Sequence, residues 1–208
     1  MSLHQALPCS RALFFLVTMA ALLLTPCESQ AKQRNVIIID AGHGGSDKGS
    51  YWGGVRESRI ALATAKELEK ELRRRGFLTV MTRRSDTFVS LEQRARIANR
   101  VPKGILVSVH YNAHTNRTVR GIETFYMSSS GRKLASVMQR TMMEKVRSKN
   151  RGIKRKNLKI IRDTKHPAIL VECGFISNSW ERGRANSQWY QKAVAKLMAE
   201  GVARYFGY

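Results

Sequence analysis

Val36-Ile37-Ile38-Ile39-Asp40-Ala41-Gly42-His43-Gly44-Gly45 limits the folds open to this chain more than any other stretch. Four consecutive β-branched residues without alternation predict a short strand covered on both faces, as in a parallel sheet. The glycines that follow let the backbone turn sharply and leave His43 at the C-terminal lip of that strand. In open α/β sheets that lip is where ligands bind. Taken alone, the stretch reads equally well as a tight turn carrying an incidental surface histidine.

The same design recurs. Gly104 to His110 is a second largely apolar run, again delivering a histidine at its end. Ala168 to Cys173 is a third, with Glu172 near its end. Between these runs, Arg56 to Arg75 spaces Ile60, Ala61, Thr64, Ala65, Leu68 and Leu72 as one face of a helix, with Gly76 as terminator. Phe77 to Thr82 reads as a strand, Ser90-Leu91-Glu92-Gln93 as a capping box opening a helix to Arg100, and Gly121 to Met127 as a strand. Leu134, Val137, Met138, Thr141 and Met142 mark the next helix, Asn157 to Arg162 a weak strand, and Ser187 the cap of a final helix. The expected fold is a single α/β domain: a twisted, mixed, largely parallel sheet of about six strands with helices on both faces. No internal repeat or second domain is visible, and the 208 residues suit one core.

The N-terminus reads as a targeting segment. Arg11, the apolar run Ala12 to Leu24, and the small residues Ser29 and Ala31 form the pattern of a cleaved signal peptide spanning 1–31, leaving 32–208 as the catalytic domain. The run is short for a membrane anchor. Pro26 before Cys27 matches a lipoprotein box poorly. Removal of Cys9 and Cys27 leaves Cys173 without a disulfide partner, read as a small buried thiol. The segment carries one basic and one acidic residue, so the mature domain keeps the net charge of +22. For an exported protein this points to anionic envelope polymers or lipid headgroups, in the periplasm or cell envelope of a bacterium. Nucleic acid is not expected, since the densest basic run, Lys145 to Lys159, lacks interleaved aromatics and reads as a solvated face. The glycines of Ser46 to Gly54 fit neither dinucleotide nor P-loop spacing, and no nucleotide cradle is expected.

Strand ends and one helix start therefore offer His43, Glu57, His110 and Glu172 to one edge of the sheet. Two imidazoles and a carboxylate suit a catalytic zinc whose fourth position is left to water. A further carboxylate beside that position can take the water's proton. Non-haem iron would accept the same set, and Glu57 taken alone reads first as a dipole-complementing residue of its helix. Asn112 reads equally as a turn residue or as one that orients His110 or touches substrate, Glu123 as a carboxylate supporting the site or a cleft wall, and His114 and His166 as loop histidines.

Ile39-Asp40-Ala41-Gly42-His43-Gly44-Gly45, Arg56-Glu57-Ser58-Arg59-Ile60-Ala61-Leu62, Ser90-Leu91 with Arg94 and Ala98-Asn99, Ser108-Val109-His110-Tyr111-Asn112-Ala113, and Ala168 through Asn178 follow one another in an order that resembles the zinc-dependent N-acetylmuramoyl-L-alanine amidases. The resemblance runs from Asn35 to the C-terminus. It implies that His43, Glu57 and His110 hold one zinc ion per chain, that Glu172 is the catalytic base, and that the substrate is peptidoglycan or its fragments. The bond cut would join the lactyl group of N-acetylmuramic acid to L-alanine of the stem. Regulated members insert a plugging helix where this chain has only the short segment between Met127 and Arg151, so an open site is expected, on a monomer. The alternatives are a zinc peptidase acting on stem peptides and a non-catalytic envelope-binding protein.

Overall fold

The computed structural model describes residues 35–208, together with Met1. The expected signal peptide, with Cys9 and Cys27, lies outside the described residues. The first strand, β1 (Val36–Ala41), is followed by a two-residue hairpin, β2 (Tyr51–Trp52) and β3 (Val55–Arg56). Then come α1 (Glu57–Arg74), β4 (Leu78–Met81), α2 (Leu91–Asn99), β5 (Ile105–Asn112) and β6 (Ile122–Tyr126). The chain continues through α3 (Ser129–Lys145), β7 (Asn150–Arg155), α4 (Lys159–Arg162), β8 (Ala168–Phe175), α5 (Ser179–Ala185) and α6 (Gln188–Tyr205).

Six strands make one sheet in the order β4-β1-β5-β8-β6-β7. The first four run parallel, β6 is antiparallel to β8, and β7 is parallel to β6. The expected mixed sheet is thus observed. Successive strand residues point to opposite faces, which divides the core in two. Ile37 and Ile39 join Leu68 and Leu72 of α1, Leu134 and Met138 of α3, and Val194 and Met198 of α6. Ile38 and Leu106 join Ala95 and Ala98 of α2 and Ile160 and Ile161 of α4 on the other face.

The chain leaves β1 to place β4 on one side, then crosses to place β5 on the other. That reversal opens a crevice beyond the carboxyl ends of β1 and β5, the place where open α/β sheets receive ligands. His43 and His110 emerge from those two strands.

Two local readings need correction. Asn157 to Arg162 is not a strand: Lys159–Arg162 is a helical turn, closed by Arg162 N–H to Leu158 O at 2.9 Å and Asp163 N–H to Lys159 O at 2.9 Å. A Lys159–Asp163 ion pair at 2.8 Å suits that turn, and Ile160 and Ile161 anchor it in the smaller core. The sheet edge is instead Asn150–Arg155, within the run read as a solvated face. Its charges hid it, because lysine and arginine along an edge strand remove the apolar pattern while blocking edge-to-edge pairing. The glycine-rich loop also contains structure: Gly53 and Gly54, at φ 52° and 80°, form the primed turn that suits a two-residue hairpin.

Candidate active site

His43 sits in the left-handed region, at φ 58°, a conformation uncommon for a non-glycine residue. Two buried guanidinium groups hold it there. Arg94 donates to the carbonyls of Ala41 and His43, each at 2.6 Å, and Arg83 to those of Ala41 at 2.8 Å and Gly42 at 2.7 Å. Arg94 in turn is paired with buried Asp40 at 2.8 Å, which also accepts from Thr82 and Ser108. Burial opposes ionisation of Asp40, but Arg94 and the two hydroxyls outweigh it and hold its pKa below the ordinary value. Gly42 is required by proximity: a Cβ there would lie 2.3 Å from Cε1 of His110.

The imidazoles of His43 and His110 meet edge to face, with ring centroids 4.8 Å apart. Between them lies Glu57, the first residue of α1. Its Oε1 is 3.1 Å from His43 Nε2 and 2.8 Å from His110 Nδ1, and accepts the Tyr111 N–H at 3.2 Å. Its Oε2 accepts the Ser50 N–H at 2.9 Å. Burial works against the Glu57 carboxylate, but the two histidines overcome it and its pKa is strongly lowered. One ligand atom from each of His43, Glu57 and His110 lies within 4.8 Å of the others, close enough to share a metal ion.

Asp47 supplies a further argument for a cation. Its Oδ2 lies 2.8 Å from His43 Nδ1, while its Oδ1 accepts the Gly49 N–H at 3.0 Å. An ionised carboxylate only accepts, so Nδ1 carries the proton and a neutral His43 turns its Nε2 lone pair toward Glu57. Lone pair facing carboxylate is repulsive unless a proton or metal ion lies between. A carboxylate fixing the far nitrogen of a histidine is the usual support of a metal ligand. The residues present therefore fit a divalent metal.

Glu172 takes its place in a cross-strand row. It is directly opposite His110 of β5 on one side and Glu123 of β6 on the other, so the three side chains share one face. Its Oε2 is buried and makes no hydrogen bond among the described residues. Burial, then the charges of Glu57 and Glu123, raise its pKa well above the ordinary carboxylate value, with Lys156 opposing. A cleft of about 430 Å³ opens in front of His43 and His110, walled on the α2 side by Phe88 and Leu91, both largely exposed.

The structure thus brings His43, Glu57 and His110 together and sets Glu172 one strand away. Asn112 binds Glu123 at 2.8 Å rather than His110, and His114 caps its own loop by accepting the Asn116 N–H at 3.0 Å. His166 Nε2 is buried without a hydrogen-bond partner among the described residues. Cys173 is buried and its thiol pKa is raised by burial, in keeping with a packing role. Sequence reasoning gave no role to Asp40, Asp47, Arg83 or Arg94, although Asp40 and Arg94 stand in the stretches that carry the family resemblance. The one available signal was an aspartate inside an otherwise apolar strand.

The family model for N-acetylmuramoyl-L-alanine amidase matches residues 37–204. YqiI of Bacillus subtilis, an uncharacterized protein, is 32% identical over 192 residues, covering 89% of this chain and 93% of that protein. The probable cell wall amidase LytH of Staphylococcus aureus is 33% identical over 183 residues, covering 86% of this chain but only 61% of LytH. Among solved structures, an N-acetylmuramoyl-L-alanine amidase from Clostridium difficile 630 superposes with a TM-score of 0.80 at 36% identity, covering 83% of this chain and 97% of that one. The amidase AmiC2 of Nostoc punctiforme gives 0.80 at 35% identity, covering 84% and 98%. Since the match extends from the second residue of β1 almost to the end of α6 and so takes in every element of the site, this chain belongs to the N-acetylmuramoyl-L-alanine amidase family and is an enzyme of that class.

Proposed function

We propose that the chain is an exported, zinc-dependent hydrolase of peptidoglycan that cleaves the amide between the lactyl group of N-acetylmuramic acid and L-alanine of the stem peptide. The observation that carries this reading is the convergence of His43 Nε2 and His110 Nδ1 on one oxygen of Glu57, at 3.1 and 2.8 Å, with an unpartnered carboxylate oxygen of Glu172 on the adjacent strand. His43, Glu57 and His110 would hold the ion. When bound, zinc activates water at neutral pH and stabilises negative charge on the scissile carbonyl oxygen.

The chain's own groups do the rest. Asp47 keeps His43 in the tautomer that presents Nε2. Glu172, with Oε2 free, takes the proton of the attacking water and delivers it to the alanine nitrogen as the C–N bond breaks. Burial and the neighbouring carboxylates favour the protonated form of Glu172, whereas a base must start ionised. A bound divalent charge nearby would bring the Glu172 pKa back toward neutrality. Between β6 and β7 the chain forms α3, whose Leu134, Met138 and Met142 are core residues, and the proposed site is open without an activator. Export through the segment 1–31 and contact of the basic surface with anionic envelope polymers belong to the same proposal; no described helix is long and apolar enough to cross a membrane.

Digestion of purified peptidoglycan, with and without a chelator, tests the reading by mass. Intact stem peptides with a free L-alanine amino end, released only without chelator and restored by zinc, are the expected products. Shortened stems would make the enzyme a peptidase, and iron in the purified protein would replace zinc in the scheme.

A further inference from the structure

The basic run from Lys145 to Lys159 has no part in the reaction just described, yet the fold carries its middle to the site. It forms β7, next to β6 at the sheet edge. Pairing slips between Ile122 and Thr124, where Asn150 and Ile153 are the partners, so Arg151 and Gly152 are the additional backbone facing Glu123. Gly152 there has φ 77°. Such bulges bend a strand and re-aim a side chain, and they recur beside active sites. Here Arg151 Nε donates to Glu123 Oε2 at 3.2 Å while its guanidinium lies 5.0 Å from the centre of the Phe175 ring. Lys154 Nζ donates to the same oxygen. The row across the sheet is therefore His110, Glu172, Glu123, then the two cations.

At Glu123 itself the cations outnumber the carboxylate. Glu123 is one carboxylate against two cations, and its other oxygen is taken by Asn112 at 2.8 Å. The terminal nitrogens of Arg151 make no hydrogen bond among the described residues, and the Lys154 side chain is 45% exposed. With Glu172 ionised the row balances, two carboxylates against two cations, so what it has to spare is hydrogen-bond donors, the terminal nitrogens of Arg151 and the exposed ammonium of Lys154.

We infer that Arg151 and Lys154 form an anion subsite that receives a carboxylate of the stem peptide, one residue beyond the alanine whose nitrogen is released. This rests on the amidase reading. Adjacent strands lie about 4.8 Å apart, so β7 is roughly 10 Å from Glu172, and both cations reach back toward Glu123. An extended peptide advances about 3.5 Å per residue. A stem peptide that runs from Glu172 toward β7 would bring a carboxylate one residue past the alanine between Glu172 and β7, within reach of both cations. The subsite would make the enzyme prefer stems with that carboxylate free over stems in which it is an amide.

Two synthetic muramoyl-peptides, identical except for carboxylate or carboxamide at that residue, test the inference. Wild type, Lys154→Gln and Arg151→Gln are compared by KM and kcat, and by calorimetric binding of the two corresponding free peptides, which needs no turnover. Wild type is expected to favour the carboxylate about ten- to a hundredfold in KM, the range of a charge-assisted hydrogen bond. Each variant should lose most of that preference, leave the carboxamide substrate unchanged and alter kcat little. Lys154→Gln keeps Arg151 on Glu123, so that carboxylate stays paired. Equal handling of both substrates by wild type overturns the subsite, as does an equal loss on both in the variants, which would make the cations mere braces of Glu123. If wild type hydrolyses neither substrate, the amidase reading fails, while calorimetric preference for the carboxylate peptide still supports the subsite and its lack still refutes it.

Discussion

Replacing Arg94 with leucine should be the most damaging single change outside the reacting groups. Arg94 is buried and makes four contacts: an ion pair with Asp40 at 2.8 Å and hydrogen bonds to the carbonyls of Ala41, His43 and Val89. Its loss strands the Asp40 carboxylate in the interior with two hydroxyl donors in place of a cation. Breaking a buried pair by removing one partner costs about 3–5 kcal/mol, chiefly because the remaining charge is uncompensated. At about 2–4 °C per kcal/mol for a domain of this size, the melting temperature should fall by roughly 6–20 °C. Urea unfolding of wild type, Arg94→Leu, Asp40→Asn and the double variant measures this directly. The double variant should be clearly more stable than the sum of the singles predicts, since it removes the stranded charge. A cost below about 1 kcal/mol for Arg94→Leu, or strict additivity in the cycle, would refute the reasoning. The pair also fixes a pH signature. Because the folded-state pKa of Asp40 lies below its ordinary 3.8, its contribution is complete above that value and is lost as the pH falls through the folded pKa. The acid limb of the stability profile should therefore flatten in Asp40→Asn.

Glu172→Gln should lower kcat about 10²–10⁴-fold with little change in melting temperature or zinc content, since only proton transfer is removed; retention of full wall clearing on a zymogram would dismiss Glu172 as the base. Asp47→Ala should weaken zinc binding about 10–100-fold by freeing the His43 tautomer, read by competition with a zinc-sensitive dye; unchanged affinity would reduce the His43–Asp47 contact to a surface pair.

The parts of the fold that were legible are those where burial writes itself into composition. Val36–Ile39, Gly104–His110 and Ala168–Cys173 are covered on both faces, so apolar residues fill nearly every position and the strand is plain. β7 was not legible, because an edge strand with Arg151 and Lys154 pairing inward to Glu123 has neither an apolar face nor alternation. At the site, placement at strand ends drew attention to His43 and His110 before any relative was considered. Arg83 was silent, and Arg94 showed only as part of the resemblance, because their role is a set of contacts to Ala41, Gly42 and His43, carbonyls that every residue possesses. Asp47 was silent for a related reason. Four residues from its histidine in a glycine-rich turn, it looks like turn chemistry until the ring nitrogen it contacts is seen.

The strand order has a consequence for the timing of activity. Glu172 is carried by β8, which is wedged between β5 and β6 although it is the last strand to be synthesised. A nascent or threaded chain that has reached only as far as Arg155 possesses both imidazoles and lacks the proton acceptor, and its half-built sheet has an unfilled slot. Closure of that slot needs a strand from the final quarter of the polypeptide, a distant pairing of the kind that slows folding. With Glu172 in its proposed role, a lytic protein assembled in this order stays harmless until almost all of it has emerged, and no fragment that stops short of β8 inherits its chemistry.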